Sequence, residues 1–200
     1  SSPSGDEVLP PPRLIEEIDL GRLGASDVRL DPEKLEWLSG EYIRRMDVQG
    51  LAERLTEHLD PEVYPNRDKH RVRIASAVQQ RINTFTGAAQ FLPQFYPPDP
   101  MLWAPEALQV LHGPRVPELL QAVHSALSAV EDWGGETVIA AVRSAGKRAG
   151  VKGRDLFMPV RAAVTGSTQG PELADIFEVQ GKATALRVIE QAWNEVRREG

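Results

Sequence analysis

The chain has 200 residues, 41% of them apolar and 26% charged, with no cysteine and a net charge of −6. That length carries one large hydrophobic core or two small ones, and the composition is that of a globular protein. No apolar run nears the roughly 18–20 residues needed to cross a bilayer. Disulfides, cysteine nucleophiles and thiolate metal sites are excluded, and the acidic balance weighs weakly against a nucleic-acid binder.

The opening "SSPSGDEVLPPPR" lacks the basic start and apolar middle of a signal peptide, and the absence of cysteine fits a reducing cytoplasm. From Asp31 onward the sequence reads as helix almost throughout. "DPEKLEWLSGEYIRRM" offers Asp31 as N-cap and Pro32 at the first helical position, with Gly40 expected to break or bend the helix. Asp47 then caps a second helix whose stripe is Val48, Leu51, Ala52, Leu55 and Leu59, ended by Asp60-Pro61. A third is expected from Asp68 to about Phe85 on Ile74, Val78, Ile82 and Phe85. "FLPQFYPPDPMLWAP" is too proline-rich for continuous helix, and its Phe91, Phe95, Tyr96, Met101 and Trp103 need burial, so it reads as a packed loop with helical turns. A boundary near Gly113 is followed by helices at about 116–131, 135–149, 155–165, 171–179 and 181–198. No segment demands a strand.

Catalytic patterns are missing. The four histidines are scattered, and neither Gly146-Lys147 nor Gly181-Lys182 has the second glycine that a phosphate-cradling loop needs. No Gly-x-Ser-x-Gly elbow occurs, and the carboxylates sit at positions expected to be solvated. What stands out instead is two basic islands in an acidic chain. Arg67, Lys69, Arg71, Arg73 and Arg81 face only Asp68, while Arg143, Lys147, Arg148, Lys152, Arg154 and Arg161 face only Asp155. Solvated helix faces are the bland explanation. The sharper one is RNA, because arginine's planar fork pairs with phosphates and base edges and stacks on bases. The loop Thr165-Gly166-Ser167-Thr168-Gln169-Gly170-Pro171 opens a helix with small residues, read either as a plain cap or as a place where a ligand approaches the backbone.

Three stretches together resemble the C-terminal half of bacterial glutamyl-tRNA synthetases: "DPEKLEWLSGEYIR", "GVKGRDLFMPVRAAVTGSTQGPEL" and "QGKATALRVIEQA". The family shows a Lys-Leu-x-Trp-x-Asn-Gly-x-Tyr-Ile-Arg run, then Lys-Gly-x-x-Leu-Phe-x-Pro-Leu-Arg-x-Ala-Leu-Thr-Gly, a Gly-Pro-x-Leu-like loop and Leu-Gly-Lys-x-x-Ala-Leu, in the same order. The His-Ile-Gly-His-like and Lys-Met-Ser-Lys-like motifs of its catalytic half do not occur here. The resemblance implies an all-α fragment lacking the catalytic domain: a short helical connecting segment (1–46) and two helical-bundle subdomains (47–113 and 114–200). It implies anticodon recognition on glutamate tRNA by a cytoplasmic, monomeric, non-membrane protein. The fragment itself would hold no cofactor, and the intact parent would use ATP and Mg²⁺.

Residue by residue, the resemblance places Arg81 where members selective for glutamate tRNA carry arginine and permissive ones glutamine, favouring cytosine at the third anticodon position. It places Arg161 on a second base contact. Gly170, Pro171 and Leu173 fall on the loop that receives splayed bases, with Leu173 as an apolar wedge. Lys34 and Arg44 lie on the junction motif, where Trp37 is expected in the core, and Lys152 and Arg154 on phosphate. Ser39, Gln180 and Ala183-Thr184 depart from the family pattern. The competing view is a stand-alone helical adaptor that docks a protein through its Pro/aromatic segment and binds no RNA.

Overall fold

Asp31 opens a helix as its position predicts: its Oδ1 accepts from the backbone N–H groups of Glu33 (3.0 Å) and Lys34 (3.4 Å), with Pro32 at the first helical position. The computed structural model describes residues 8–17, 31–57 and 67–198. His58, Leu59 and the Asp60-Pro61 stop lie outside them, as do the first seven residues. In order come α1 (Pro11–Glu17), α2 (Pro32–Arg45), α3 (Val48–Glu57), α4 (Arg67–Val78), a 3-10 turn (Thr86–Phe91) leading into α5 (Leu92–Phe95), α6 (Pro105–Leu111), α7 (Val116–Ser128), α8 (Gly135–Arg148), α9 (Arg154–Thr165) and α10 (Leu173–Arg198). The protein is all-α, with no strand among the described residues.

Three expectations are corrected. Gly40 does not break α2, which continues to Arg45; a Cβ there would lie 2.3 Å from Asn83 Oδ1 and 2.9 Å from Arg44 Nη1, so the glycine permits close approach within an uninterrupted helix. Trp37 is not core. The first two turns of α2 stand clear of the described core, leaving Trp37 43% exposed, and only Gly40 and Ile43 of the helix are buried. The helix expected to reach Phe85 stops at Val78. Gln79 uses its amide to donate to the last carbonyls of α2, Ile43 O (3.0 Å) and Met46 O (2.8 Å). Asn83 accepts from Arg44, and Thr84 Oγ1 accepts from Gly87 N–H. Side chains that bond locally or to a neighbouring backbone compete with the helical ladder, and here they win. Ile82 still reaches the core at 1% exposure, by a turn instead of a helix face.

α10 organises the rest. The interruption expected between helices at 171–179 and 181–198 falls at Gly181, whose backbone (φ 72°, ψ 168°) lies in a region essentially reserved for glycine. The next side chain, Lys182, sends its ammonium to Ser128 O (2.8 Å) and Val130 O (2.6 Å), the unpaired carbonyls at the end of α7. A cation there satisfies orphan acceptors and opposes the negative end of the helix dipole. Beyond the break, Arg187 reaches Pro97 O, Pro98 O and Asp99, while Gln191 accepts from Met101 N–H (2.9 Å) and donates to Asp99 Oδ1 (2.9 Å). These contacts fasten the Pro/aromatic segment. Phe95 and Met101 are buried and Tyr96 half-buried; burial pushes the Tyr96 phenol up to about 12, with the Asp68 carboxylate adding to the effect. The surface that an adaptor would use is largely consumed by packing.

Before the break, α10 is clamped to α4. Arg73 pairs with Asp175 (2.8 Å) and Glu178 (2.7 Å), so one arginine of the first basic island serves an internal tie. Fully buried Phe95 and Phe177 anchor one continuous core, each worth roughly 1.5–3 kcal/mol. That core runs across the Gly113 boundary, since α6 packs on α9 and α10 touches α4 and α5.

Replacing Lys182 with methionine keeps the stem and removes the capping ammonium. Lys182→Met should lower unfolding free energy by about 1–2 kcal/mol in urea denaturation, the scale of a lost hydrogen-bonded charge. A change below about 0.5 kcal/mol, typical of surface substitutions, would show that the ammonium contributes no cap.

Candidate functional site

Arg161 projects from the penultimate turn of α9 and is half-buried. Its Nη1 donates to Pro171 O at 2.8 Å, which uses one of five N–H donors and fixes the plane of the rest. The loop supplying that carbonyl is itself tightly determined. Gly166, at φ 70°, ends α9 in the left-handed conformation, and its carbonyl accepts from Ala104 N–H at 2.9 Å. The Thr165 hydroxyl accepts from Ser167 N–H, and Ser167 Oγ accepts from Gln169 N–H. Burial lowers the pKa of Arg161 from its ordinary value; the Glu172 carboxylate opposes this, and the positive charge of Arg81 adds to it. The guanidinium stays charged throughout. Arg81 is therefore close enough for its charge to be felt at Arg161, although it is not among the residues that line the pocket beside Arg161.

A pocket of ≈ 410 Å³ opens beside Arg161, between α8, α9 and the start of α10. Arg143 and Arg154 join Arg161 as its cations, Phe157, Met158 and Leu173 give apolar walls, and Glu172 supplies a carboxylate. The Arg143 guanidinium lies 5.8 Å from the Phe157 ring centroid, which holds the cation against an aromatic face. A cationic rim, apolar walls and an aimed donor fork suit a flat ligand with acceptor edges and attached anionic charge.

The structure gathers some of the sequence-selected residues and disperses others. Arg154, Arg161 and Leu173 line the pocket together, and Leu173 is 5% exposed. Arg81 sits on the exposed turn after α4, where its backbone N–H donates to Val78 O (2.8 Å) and its side chain makes no hydrogen bond or ion pair among the described residues. Lys152 is exposed just before α9 and is not among the lining residues. Lys34 and Arg44 belong to α2. Arg44 is tied to Glu41 (2.8 Å) and to Asn83 Oδ1 (3.2 Å), two residues from Arg81, so it braces the turn that carries Arg81.

Of the two readings of this loop, a plain cap or a place where a ligand approaches the backbone, the glycines show tight internal packing: a Cβ on Gly170 would stand 1.9 Å from Gln94 Oε1, and one on Gly166 2.2 Å from Leu102 O. On those sides the approach is made by the protein itself, and buried Pro171 completes the packing. Sequence reasoning also missed Phe157, Met158 and Glu172, and it saw Arg143 only as one charge of an island. Arg143 and Phe157 lie on different helices, α8 and α9, and meet only in the folded chain.

A family model described as an anticodon binding domain matches residues 50–193. A glutamate–tRNA ligase of Geobacillus thermodenitrificans is 31% identical, the match covering 97% of this chain and 41% of the relative. Among solved structures, a glutamate tRNA ligase from Elizabethkingia meningosepticum, in complex with its amino acid, superposes with a TM-score of 0.85 at 20% identity, over 98% of this chain and 39% of that one. A glutamate-tRNA synthetase from Elizabethkingia anophelis gives 0.78 at 20% identity, over 97% and 38%. At these identities the superpositions establish the fold. The chain spans about two-fifths of the length of these relatives.

Gly170→Ala combines a φ of 146° with a collision, whereas Gly153→Ala meets nothing within 4 Å at φ 57°. Gly170→Ala should cost at least about 2 kcal/mol and Gly153→Ala only about 1 kcal/mol in denaturant titration. Equal costs would mean that the loop does not press on Gln94.

Proposed function

The chain belongs to the anticodon-binding domain family, and we propose that it is the tRNA-reading part of a glutamate–tRNA ligase, selecting glutamate tRNA for a catalytic half outside this chain. That half would attach glutamate with ATP and Mg²⁺. The observation that carries this reading is the contrast between Arg161 and Arg81, two cations near enough for one charge to act on the other and differing in readiness. Arg161 is half-buried and aimed by the Pro171 carbonyl; Arg81 is exposed and unpaired among the described residues.

Unpaired anticodon bases present Watson–Crick edges and π-faces, and proteins read them by stacking and by hydrogen bonds to those edges. Arg81 would offer donors to the carbonyl and ring-nitrogen acceptors of cytosine at the third anticodon position, where guanine presents a larger edge bearing a donor of its own. Arg161 would read a neighbouring base with its free donors, while Gly170, Pro171 and Leu173 shape the seat and the Leu173 side chain wedges against the base. Arg154, Lys152 and Lys34 would meet phosphates, and Arg44 would hold the Arg81 turn in place. The division at Gly113, the monomeric state and a cytoplasmic location belong to the same reading.

Filter binding of RNA hairpins that carry the glutamate anticodon tests it. The wild-type chain should prefer cytosine over guanine at the third anticodon position. Arg81→Gln should shrink that preference by about 1–3 kcal/mol, the scale of one bidentate base contact. Lys152→Ala should leave the preference intact and reduce the slope of log affinity against log salt by about 0.7, as expected for one phosphate on a single strand. Salt-independent binding, or an Arg81→Gln variant with undiminished preference, would defeat the assignment.

A further inference from the structure

Gln180 stands on the last residue before the Gly181 break and is 8% exposed. Its carboxamide nitrogen donates to two carbonyls on different elements, Gln94 O in α5 and Val164 O in α9, each at 2.8 Å. Val164 follows Arg161 by three residues on the same helix. Gln94 touches the other wall: its Oε1 occupies the space a side chain on Gly170 would need. One buried amide thus ties the helix that carries Arg161 to the segment that continues from the Arg81 turn through Ile82 and the 3-10 turn, and that segment's Gln94 side chain lies beside Gly170 of the loop whose Pro171 carbonyl aims Arg161.

The tie carries a cost. Gln94 Oε1 and Gln180 Oε1 are buried with no hydrogen-bond partner among the described residues. An unsatisfied buried acceptor is unfavourable, and an apolar side chain of similar volume would fill this space without it. A glutamine here is a poor choice for stability alone. It is a good choice for fixing geometry, because two directional hydrogen bonds define a spacing that dispersion contacts do not.

We propose that Gln180 is a positioning residue for base selection: through Gln94 O and Val164 O it sets where Arg161 and the Gly170–Pro171 loop stand relative to Arg81. The inference rests on the anticodon-reading function proposed above. Gln180 touches no ligand in this scheme; it acts through the two carbonyls.

Three variants test it, with the cytosine/guanine ratio of hairpin affinities as the readout. Gln180→Met conserves volume and removes both donors. Its ratio should fall about tenfold, the size of one misplaced base contact, while the salt slope stays that of wild type because phosphate contacts are untouched. Lys182→Met destabilises from the neighbouring position without touching the tie, so its ratio should match wild type. Gln180→Glu keeps the shape but donates only when protonated, and then through one O–H in place of two N–H groups; burial raises a carboxyl pKa, so its ratio should recover in part as pH falls from about 7.5 to 5.5 while the wild-type ratio stays flat. A Gln180→Met ratio equal to wild type, equal losses in Gln180→Met and Lys182→Met, or a pH-flat Gln180→Glu each overturns the positioning role and leaves the function standing. Failure of the wild-type chain to discriminate between the hairpins overturns both.

Discussion

A positive φ at Gly181 divides α10 into two pieces with separate duties, and the arrangement around the pocket depends on that division. An uninterrupted helix of 26 residues would run about 39 Å in one direction and present one face to one partner. Broken at Gly181, its first piece lays Leu173 against the pocket, meets Arg73 of α4 with Asp175 and Glu178, and ends on Gln180 between α5 and α9. Its second piece fastens residues 97–101 through Arg187 and Gln191. Lys182, at the joint, anchors both pieces to the end of α7. Only glycine occupies that backbone conformation without strain.

The segment between α9 and α10 is over-determined for a plain connection, and the structure gives the reason. Gly166 and Gly170 are needed because the loop lies against the Leu102 carbonyl and the Gln94 side chain, and the loop's Pro171 carbonyl then aims Arg161. Packing and orientation of a charged fork are therefore one requirement. A guanidinium held in plane before its ligand arrives loses less rotamer freedom on binding than a free one. The exposed Arg81 carries that entropic cost, and its turn is braced by Arg44, Asn83 and Gln79 instead.

Much of this was legible in the sequence, and the failures have physical causes. Asp31-Pro32 announced α2, and the apolar spacing of α3 put Leu51, Ala52 and Leu55 inside. An interruption near residue 180 was expected between helices at 171–179 and 181–198, and it falls at Gly181. The overlong α4 was not, because Ile82 and Phe85 continue its stripe while Gln79, Asn83 and Thr84 spend their polar groups elsewhere, which periodicity does not see. Trp37 was expected inside as part of the junction motif, yet the start of α2 leaves it 43% exposed and Leu35 45% exposed. For the site, the motif residues around 161–173 were found by pattern. Phe157, Met158 and Glu172 join it only through the packing of α9 on its neighbours, and Arg73 left the basic surface for an ion pair across the chain.

The account turns on Arg81 and Arg161 meeting the same unpaired RNA. NMR of the chain labelled at arginine side chains, titrated with an anticodon hairpin, reads this directly through the Nε–H signals. Both Arg81 and Arg161 should shift in step with a single saturation curve, while Arg73, held by its two carboxylates, should stay still. Movement confined to other arginines, or separate saturation of the two signals, would contradict a shared cleft.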